Sequence, residues 1–337
     1  MNSDAPVVDS PVSVKDLRPG EDVLQYFEVR SKETRKTRSG QDYVDIVLGD
    51  ATGSIEAKMW SDVVRKWGHE FSPGDFVKVE GRVELYKERN QLVIEKIRRA
   101  ELSEVPEPER LVRSPQQDPD DLFDELLRIS ATLKPPDLAG LVSDVLHKHG
   151  RSLKTVPAAK LVHHAYRGGL VEHTVSVTRK VNAVLELEGN IDRNIAVAGA
   201  ILHDIGKVLE LTPMGCGRTL EGRLIGHVIL GRDLLRDAAR ERGCSDASWV
   251  PELEHIVLSH HGESAFGAPV RPLTREALLV HFIDNLDAKL KIMSEALEAV
   301  DAEGFTPYNK WLEGRVFAGA RSLPEEEDND RDSRETS

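Results

Sequence analysis

The stretch Ala200–Val208, AILHDIGKV, decides how this chain is read. Its flanks, NIAVAGAIL before and KVLE after, are apolar or small and predict one buried helix through NIAVAGAILHDIGKVLE. Yet His203, Asp204 and, one turn on, Lys207 sit in the middle of it. Charged side chains are seldom fully buried without partners, so other parts of the chain must supply them.

Working outward, the apolar spacing stays helical from Leu122 to about Ala318. Successive candidates are DDLFDELLRISATL, LAGLVSDVLHKHG, GLVEHTVSVTRKVNAVLELE, LIGHVILGRDLLRDAARERG, PELEHIVLSHHG and LTREALLVHFIDNLDAKLKIMSEALEAV. Of the 12 histidines, all but His69 fall in this half, several inside apolar stretches: His173, His203, His227, His260 and His261. Asp284 lies in a further apolar helix, HFIDNLDAK. A single buried histidine is ordinarily a core residue with one hydrogen bond. An adjacent His-Asp pair with lone histidines in separate apolar helices instead requires several polar groups to be satisfied together. Imidazole with carboxylate suits Mn, Fe, Co, Ni or Zn, and the two cysteines, Cys216 and Cys244, are in no zinc-knuckle spacing.

Before the helical half, residues 14–100 alternate with period two: DVLQYFEVRS, QDYVDIVLGD, GSIEAKMW, DFVKVEGRVEL and NQLVIEKIRR. A short helix, SDVVRKWGHEF, separates the third strand from the fourth. That order predicts an OB-fold, a five-stranded barrel that binds single-stranded nucleic acid or oligosaccharide. Its first loop gathers Lys32, Arg35, Lys36 and Arg38, and its last hairpin adds Lys87 and Arg89. Tyr26, Phe27, Tyr43, Trp60 and Tyr86 are aromatics available for stacking, with Trp60 and Tyr86 the expected contacts. Residues 1–13 and the acidic 319–337 are expected to be disordered, 101–121 to be a linker rich in proline and charge, and 122–318 to be the all-helical domain.

The order His173, His203-Asp204, Asp284, with the HDIGK form, resembles the HD superfamily of metal-dependent phosphohydrolases. With His227 and His260-His261 between them, it is similar to the branch that holds two metals. An OB-fold followed by this HD pattern, with PAAKLVHHAYRGGLVEHT and SHHGESAFGAPVRP, resembles the YhaM-type 3′ to 5′ exoribonucleases from about Val14 to Trp311. The resemblance implies an all-helical HD domain after the barrel, two divalent ions, manganese foremost, and single-stranded RNA as partner, with single-stranded DNA left open as a further one. It also implies a homo-oligomer. His173, His203, Asp204 and Asp284 would hold one ion, and His227, His260 and His261 the second, with Asp204 bridging. Lys207 would hold a phosphate oxygen, the alternative being a surface lysine that caps the helix end. His163 and His164 either face the phosphate or leaving group from the rim of the cleft or serve the fold. His281 supports Asp284 or packs, Asp287 serves as a cap or ion-pair partner, and His147, His149 and His255 read as structural.

Two other functions use the same residues. One keeps the chemistry on a nucleotide, cyclic dinucleotide or alarmone; the other is a non-catalytic nucleic-acid-binding factor. The net charge of -13 does not exclude nucleic acid, since part of it lies in PEEEDNDRDSRETS and one groove can stay positive. The longest apolar runs are broken by histidine or charge well short of the roughly 18–20 residues of a membrane helix. With no apolar run near the N-terminus, a cytoplasmic protein is expected.

Overall fold

The computed structural model describes residues 12–37, 40–86, 89–111, 115, 117–159, 166–212, 217–297, 300 and 303–319. Arg38, Lys87, His163, His164 and Cys216 lie outside the described residues, as do residues 1–11 and 320–337 of the two expected tails.

Strands β1 (Asp22–Lys36), β2 (Asp42–Asp50), β3 (Gly53–Met59), β4 (Phe76–Tyr86) and β5 (Arg89–Ala100) close into a barrel in the order β1-β2-β3-β5-β4. Helix α1 (Ser61–Trp67) lies between β3 and β4, as the spacing predicts. Alternate apolar residues point inward: Phe27 and Val29 from β1, Ile46 and Leu48 from β2, Ala57 and Met59 from β3, Leu92 and Ile94 from β5. Phe27 is thus a core residue and no stacking surface.

The first loop is shorter than the sequence suggests. β1 runs on to Lys36 because Arg35 pairs with Tyr43 and Lys36 with Asp42, so Lys32, Arg35 and Lys36 are strand residues. Their faces alternate, which separates Arg35 from the two lysines. The segment after β5 is also more ordered than a free linker. Val105 and Leu111 are buried with Phe76, Ala100 and Tyr166 in a small core, partly covered by Tyr26.

The helical part comprises α2 (Pro119–Ser130), α3 (Pro136–Leu153), α4 (Gly169–Leu185), α5 (Arg193–Leu202), α6 (Lys207–Glu210), α7 (Leu220–Leu224), α8 (His227–Arg242), α9 (Val250–Ser259) and α10 (Arg275–Ala296). Asp118 caps α2 and Asp192 caps α5, each accepting from backbone N–H groups of the first turn. Every residue of α5 from Ile195 to Leu202 is buried, and α5 packs against α3, α4 and α9.

Three details depart from the sequence reading. The helix through AILHDIGKV is broken: α5 stops at Leu202 and α6 begins at Lys207. Across the gap the bonds are Ile205 N–H to Leu202 O (3.1 Å) and Lys207 N–H to Asp204 O (3.0 Å), the tighter three-residue spacing. LIGHVILGRDLLRDAARERG starts its helix late: Leu224 is the last residue of α7, and Gly226 at φ 82 turns the chain so that His227 opens α8. The helical pattern ends at Ala296 and does not reach Ala318.

Residues through Ile283 form one compact unit and those from Asp284 a second. In the second, Gly304, Pro307 and Gly314 favour turns, and the bridges Phe305–Phe317 and Asn309–Gly314 pair the chain with itself. The Phe305 and Phe317 rings lie 4.9 Å apart there. Among the described residues no helix is long and apolar enough to cross a membrane.

Candidate metal centre

Four helix ends converge on Asp204. His173 comes from the buried face of α4, His203 and Asp204 from the tight turn after α5, His227 from the first residue of α8, and His260 and His261 from the turn after α9. His173, His203 and His260 are at most 1% exposed and Asp204 is 2% exposed. The side chains fall into two groups of potential ligand atoms: His173, His203 and Asp204, and His227, His260 and His261.

Asp204 faces both groups. Its Oδ2 is 3.5 Å from His173 Nε2 and 3.4 Å from His203 Nε2, while its Oδ1 is 3.5 Å from His227 Nε2 and 3.5 Å from His260 Nε2. Lys207 Nζ donates to Oδ2 at 2.5 Å. It is buried, so it is no surface lysine on a helix end. Burial alone would raise the Asp204 carboxyl, but the Lys207 ammonium and then His203 outweigh it and hold the group well below the usual carboxylate range.

The histidine tautomers are set from behind. His203 Nδ1 is 2.8 Å from Ala200 O and His260 Nδ1 is 2.8 Å from Val257 O, each three residues back in its own helix. His227 Nδ1 instead meets Glu210 Oε2 at 2.8 Å. A carbonyl or carboxylate oxygen accepts, so the proton is on Nδ1 and the Nε2 lone pair points inward. There the Nε2 atoms of His203 and His173 are 3.3 Å apart, and those of His227 and His261 are 3.0 Å apart. Oδ1 of Asp204 is buried and takes no hydrogen bond.

The Nε2 lone pairs of His203, His227 and His260 face the Asp204 carboxylate at 3.4 to 3.5 Å, an arrangement that repels unless a cation lies between. Metal–ligand bonds of about 2.1 Å put neighbouring ligand atoms about 3.0 Å apart at a right angle and about 3.4 Å apart at a tetrahedral one. The spacings match, and the residues fit a divalent metal.

Sequence reasoning missed Glu210, which is 3% exposed and also meets Arg218 Nε through Oε1 at 3.2 Å. Burial would raise its carboxyl; the hydrogen bond from His227, together with the charges of His227, Arg218 and Lys207, lowers it instead. Its only sequence signal is an acid three residues beyond Lys207 in KVLE. His281 supports the second group as well, its Nδ1 standing 2.7 Å from His260 O. Asp284 lies on α10, three residues beyond His281.

On the barrel, Lys32 is engaged by the fold: its ammonium donates to Gly68 O (2.6 Å) and Phe71 O (2.7 Å). Arg35 pairs with Glu33 (2.7 Å) and Asp45 (3.3 Å). Lys36 and Arg89 are exposed. Trp60 and Tyr86, 45% and 51% exposed, share a cluster with Tyr43 around a residue the sequence did not single out, Lys58. The Lys58 ammonium is 5.0 Å from the Tyr43 ring centre and 5.5 Å from those of Trp60 and Tyr86. The platform combines π faces with positive charge, which suits a single-stranded nucleic acid.

Two histidines outside the centre carry a pH signature. Burial pushes the His149 and His255 imidazoles down, and His255 Nε2 accepts the Leu273 N–H at 2.8 Å, which requires the neutral ring. In the unfolded chain both protonate near the ordinary value of about 6.5, whereas in the folded chain protonation waits for lower pH. Their contribution to stability is therefore complete above about pH 6.5 and is lost as pH falls toward the folded values. Urea midpoints should hold steady from about pH 8 to 7 and decline below about 6.5, and the decline should shrink in His255→Asn. An equal decline in that variant would remove His255 from the account.

The HD domain family model matches residues 170–289, and the OB-fold nucleic acid binding domain model matches residues 28–100. The chain is 33% identical over 299 residues to the 3′-5′ exoribonuclease YhaM of Bacillus pumilus (strain SAFR-032), covering 88% of this chain and 95% of that protein. It is 34% identical to the protein of the same name from Bacillus subtilis (strain 168), with the same coverage of each. The corresponding protein of Geobacillus sp. (strain WCH70) is also 34% identical, over 88% of this chain and 92% of its own.

Proposed function

The chain belongs to the YhaM 3′-5′ exoribonuclease family, and on that premise we propose that it hydrolyses single-stranded RNA from the 3′ end at a site for two divalent ions, manganese foremost. The observation that carries this reading is Asp204, whose two carboxylate oxygens face two different sets of nitrogen donors at 3.4 to 3.5 Å. His173, His203 and Asp204 would hold one ion, to which the family resemblance adds Asp284, while His227, His260 and His261 would hold the other. The chemistry supplied by bound divalent ions is activation of water at neutral pH and neutralisation of charge on the phosphoryl oxygens.

The side chains of the protein do the rest. Asp204, held ionised by the Lys207 ammonium, is an anionic bridge that remains charged at working pH. The Lys207 ammonium, a compact point charge beside the bridge, holds a phosphoryl oxygen of the scissile bond. The family resemblance supports a contact of His163 and His164 with the phosphate or leaving nucleotide, the alternative being a role in the fold. In the barrel, Tyr43, Trp60 and Tyr86 stack on bases, and Lys58, Lys36, Arg38, Lys87 and Arg89 contact phosphates, so that RNA is held without regard to sequence. The family resemblance supports a homo-oligomer.

The test is purified protein with 5′-end-labelled single-stranded RNA, with and without Mn(II). Stepwise shortening of the labelled strand that requires the metal supports the reading. Turnover of a cyclic dinucleotide with intact RNA, or RNA binding without cleavage, overturns it. The platform has its own test: Trp60→Ala should weaken RNA binding by about 1–3 kcal/mol, roughly tenfold to a hundredfold, as read by fluorescence anisotropy. An unchanged Kd would discard that face as the RNA contact.

A further inference from the structure

His203 and His260 obtain the acceptor for Nδ1 from their own helices, through the carbonyls of Ala200 and Val257. His227 has no such carbonyl to use. It is the first residue of α8, and Gly226 at φ 82 turns the preceding chain away from helical geometry. A side chain must therefore set this ring, and Glu210 does so at 2.8 Å.

Glu210 is held from three directions. Arg218 Nε meets Oε1 at 3.2 Å, and Arg218 is placed by an antiparallel bridge to Leu211, next in the chain after Glu210. Thr219 N–H donates to Glu210 O at 2.9 Å. Gly222 of α7 lies so close that a Cβ there would stand 2.4 Å from Glu210 O and 2.8 Å from its Cγ, so only glycine leaves room for the carboxylate as it stands. A buried acid is costly unless paired, and here both oxygens are paired in a fixed geometry. The return of the chain after α6 serves to fix one carboxylate against one ring.

We propose that Glu210 is a positioning residue that imposes the Nε2-donor tautomer on His227 and strengthens it as a metal donor, so that the Glu210–Arg218 pair sets the affinity of the ion held by His227, His260 and His261. The proposal rests on the two-ion reading above. A carboxylate behind a ligating imidazole fixes its orientation and raises its basicity more than a backbone carbonyl does. Among the histidines of the site whose Nδ1 partner is described, His203 and His260 are oriented by backbone carbonyls and His227 by a charged side chain paired with Arg218.

The experiment is calorimetric titration of the chelator-treated full chain with Mn(II), comparing wild type with Glu210→Ala, Glu210→Gln and Arg218→Ala. Glu210→Ala should weaken one class of bound Mn(II) by about 10- to 100-fold and leave the other unchanged. Glu210→Gln should recover part of that loss, because its amide oxygen still accepts the Nδ1–H. Arg218, half exposed, can be removed without opening the core, and Arg218→Ala should weaken the same class by a smaller factor. Unchanged Mn(II) affinity in Glu210→Ala, or in Arg218→Ala should Glu210→Ala fail to fold, overturns the proposal, as does an equal loss in both classes without rescue by glutamine. A wild type with one class of Mn(II) would sink the two-ion reading, and the response of that class to Glu210→Ala would still decide whether Glu210 positions His227.

Discussion

Asp204→Ala should abolish metal-dependent shortening of RNA, lowering turnover by at least about 10³-fold. The estimate follows from position. Among the described residues Asp204 is the one side chain whose two oxygens face both nitrogen sets, so its loss would remove a ligand from each proposed ion at once. Lewis-acid stabilisation of a phosphoryl transition state is worth several kcal/mol, and about 1.4 kcal/mol corresponds to a factor of ten. The substitution also leaves the buried Lys207 ammonium without its partner at 2.5 Å, so stability should fall as well. Asp204→Asn separates the two effects. It keeps the volume and an oxygen acceptor but loses the bridging charge, so it should retain more stability than alanine while binding Mn(II) as poorly. The measurements are the gel ladder from 5′-labelled RNA, metal content after gel filtration, and thermal denaturation. A ladder from Asp204→Ala comparable with wild type would show that hydrolysis occurs elsewhere.

The sequence made the chemistry of this site legible because the donors are of uncommon type in uncommon places. Buried imidazoles at His173, His203 and His260 stand out against apolar helices whatever the details of packing. The barrel was legible for a different reason: period-two alternation survives in β1 to β5 because each strand has one face in the core. What could not be read depends on partners distant in the chain. The continuation of β1 through Lys36 is decided by its register with β2. Lys32 looked like a phosphate contact because nothing in its neighbourhood announces that the carbonyls of Gly68 and Phe71 will take its protons. Glu210 was invisible for the same reason. Its role exists only because α8 begins at His227 and leaves that ring without a helical carbonyl.

Gly206→Ala should be among the most damaging single methyl additions at the described glycines. Gly206 has an ordinary helical backbone, φ -63 and ψ -17, so strain at φ is not the issue. Space is. A Cβ at this position would lie 1.9 Å from His227 O and 2.5 Å from Gly231 N, both backbone atoms of α8, and neither can rotate aside. The turn carrying His203 and Asp204 and the first turn of α8 carrying His227 thus touch main chain to main chain, which brings Oδ1 of Asp204 within 3.5 Å of His227 Nε2. An alanine must push the two segments apart by an ångström or more, as estimated from ordinary carbon–oxygen contact distances. Overpacking of this kind costs about 3 kcal/mol in stability when backbone has to shift. The effect on the site should be larger, because a displacement of about 1 Å in a catalytic array costs on the order of 10²-fold in rate. The variant should therefore fold with a lowered Tm, bind Mn(II) more weakly at the ion that needs His227, and lose at least about 10²-fold in RNA turnover, whereas Gly231→Ala across the same contact should be milder, since its Cβ would stand 3.2 Å from Gly206 N. Full activity in Gly206→Ala would mean that the two turns do not need this contact to form the site.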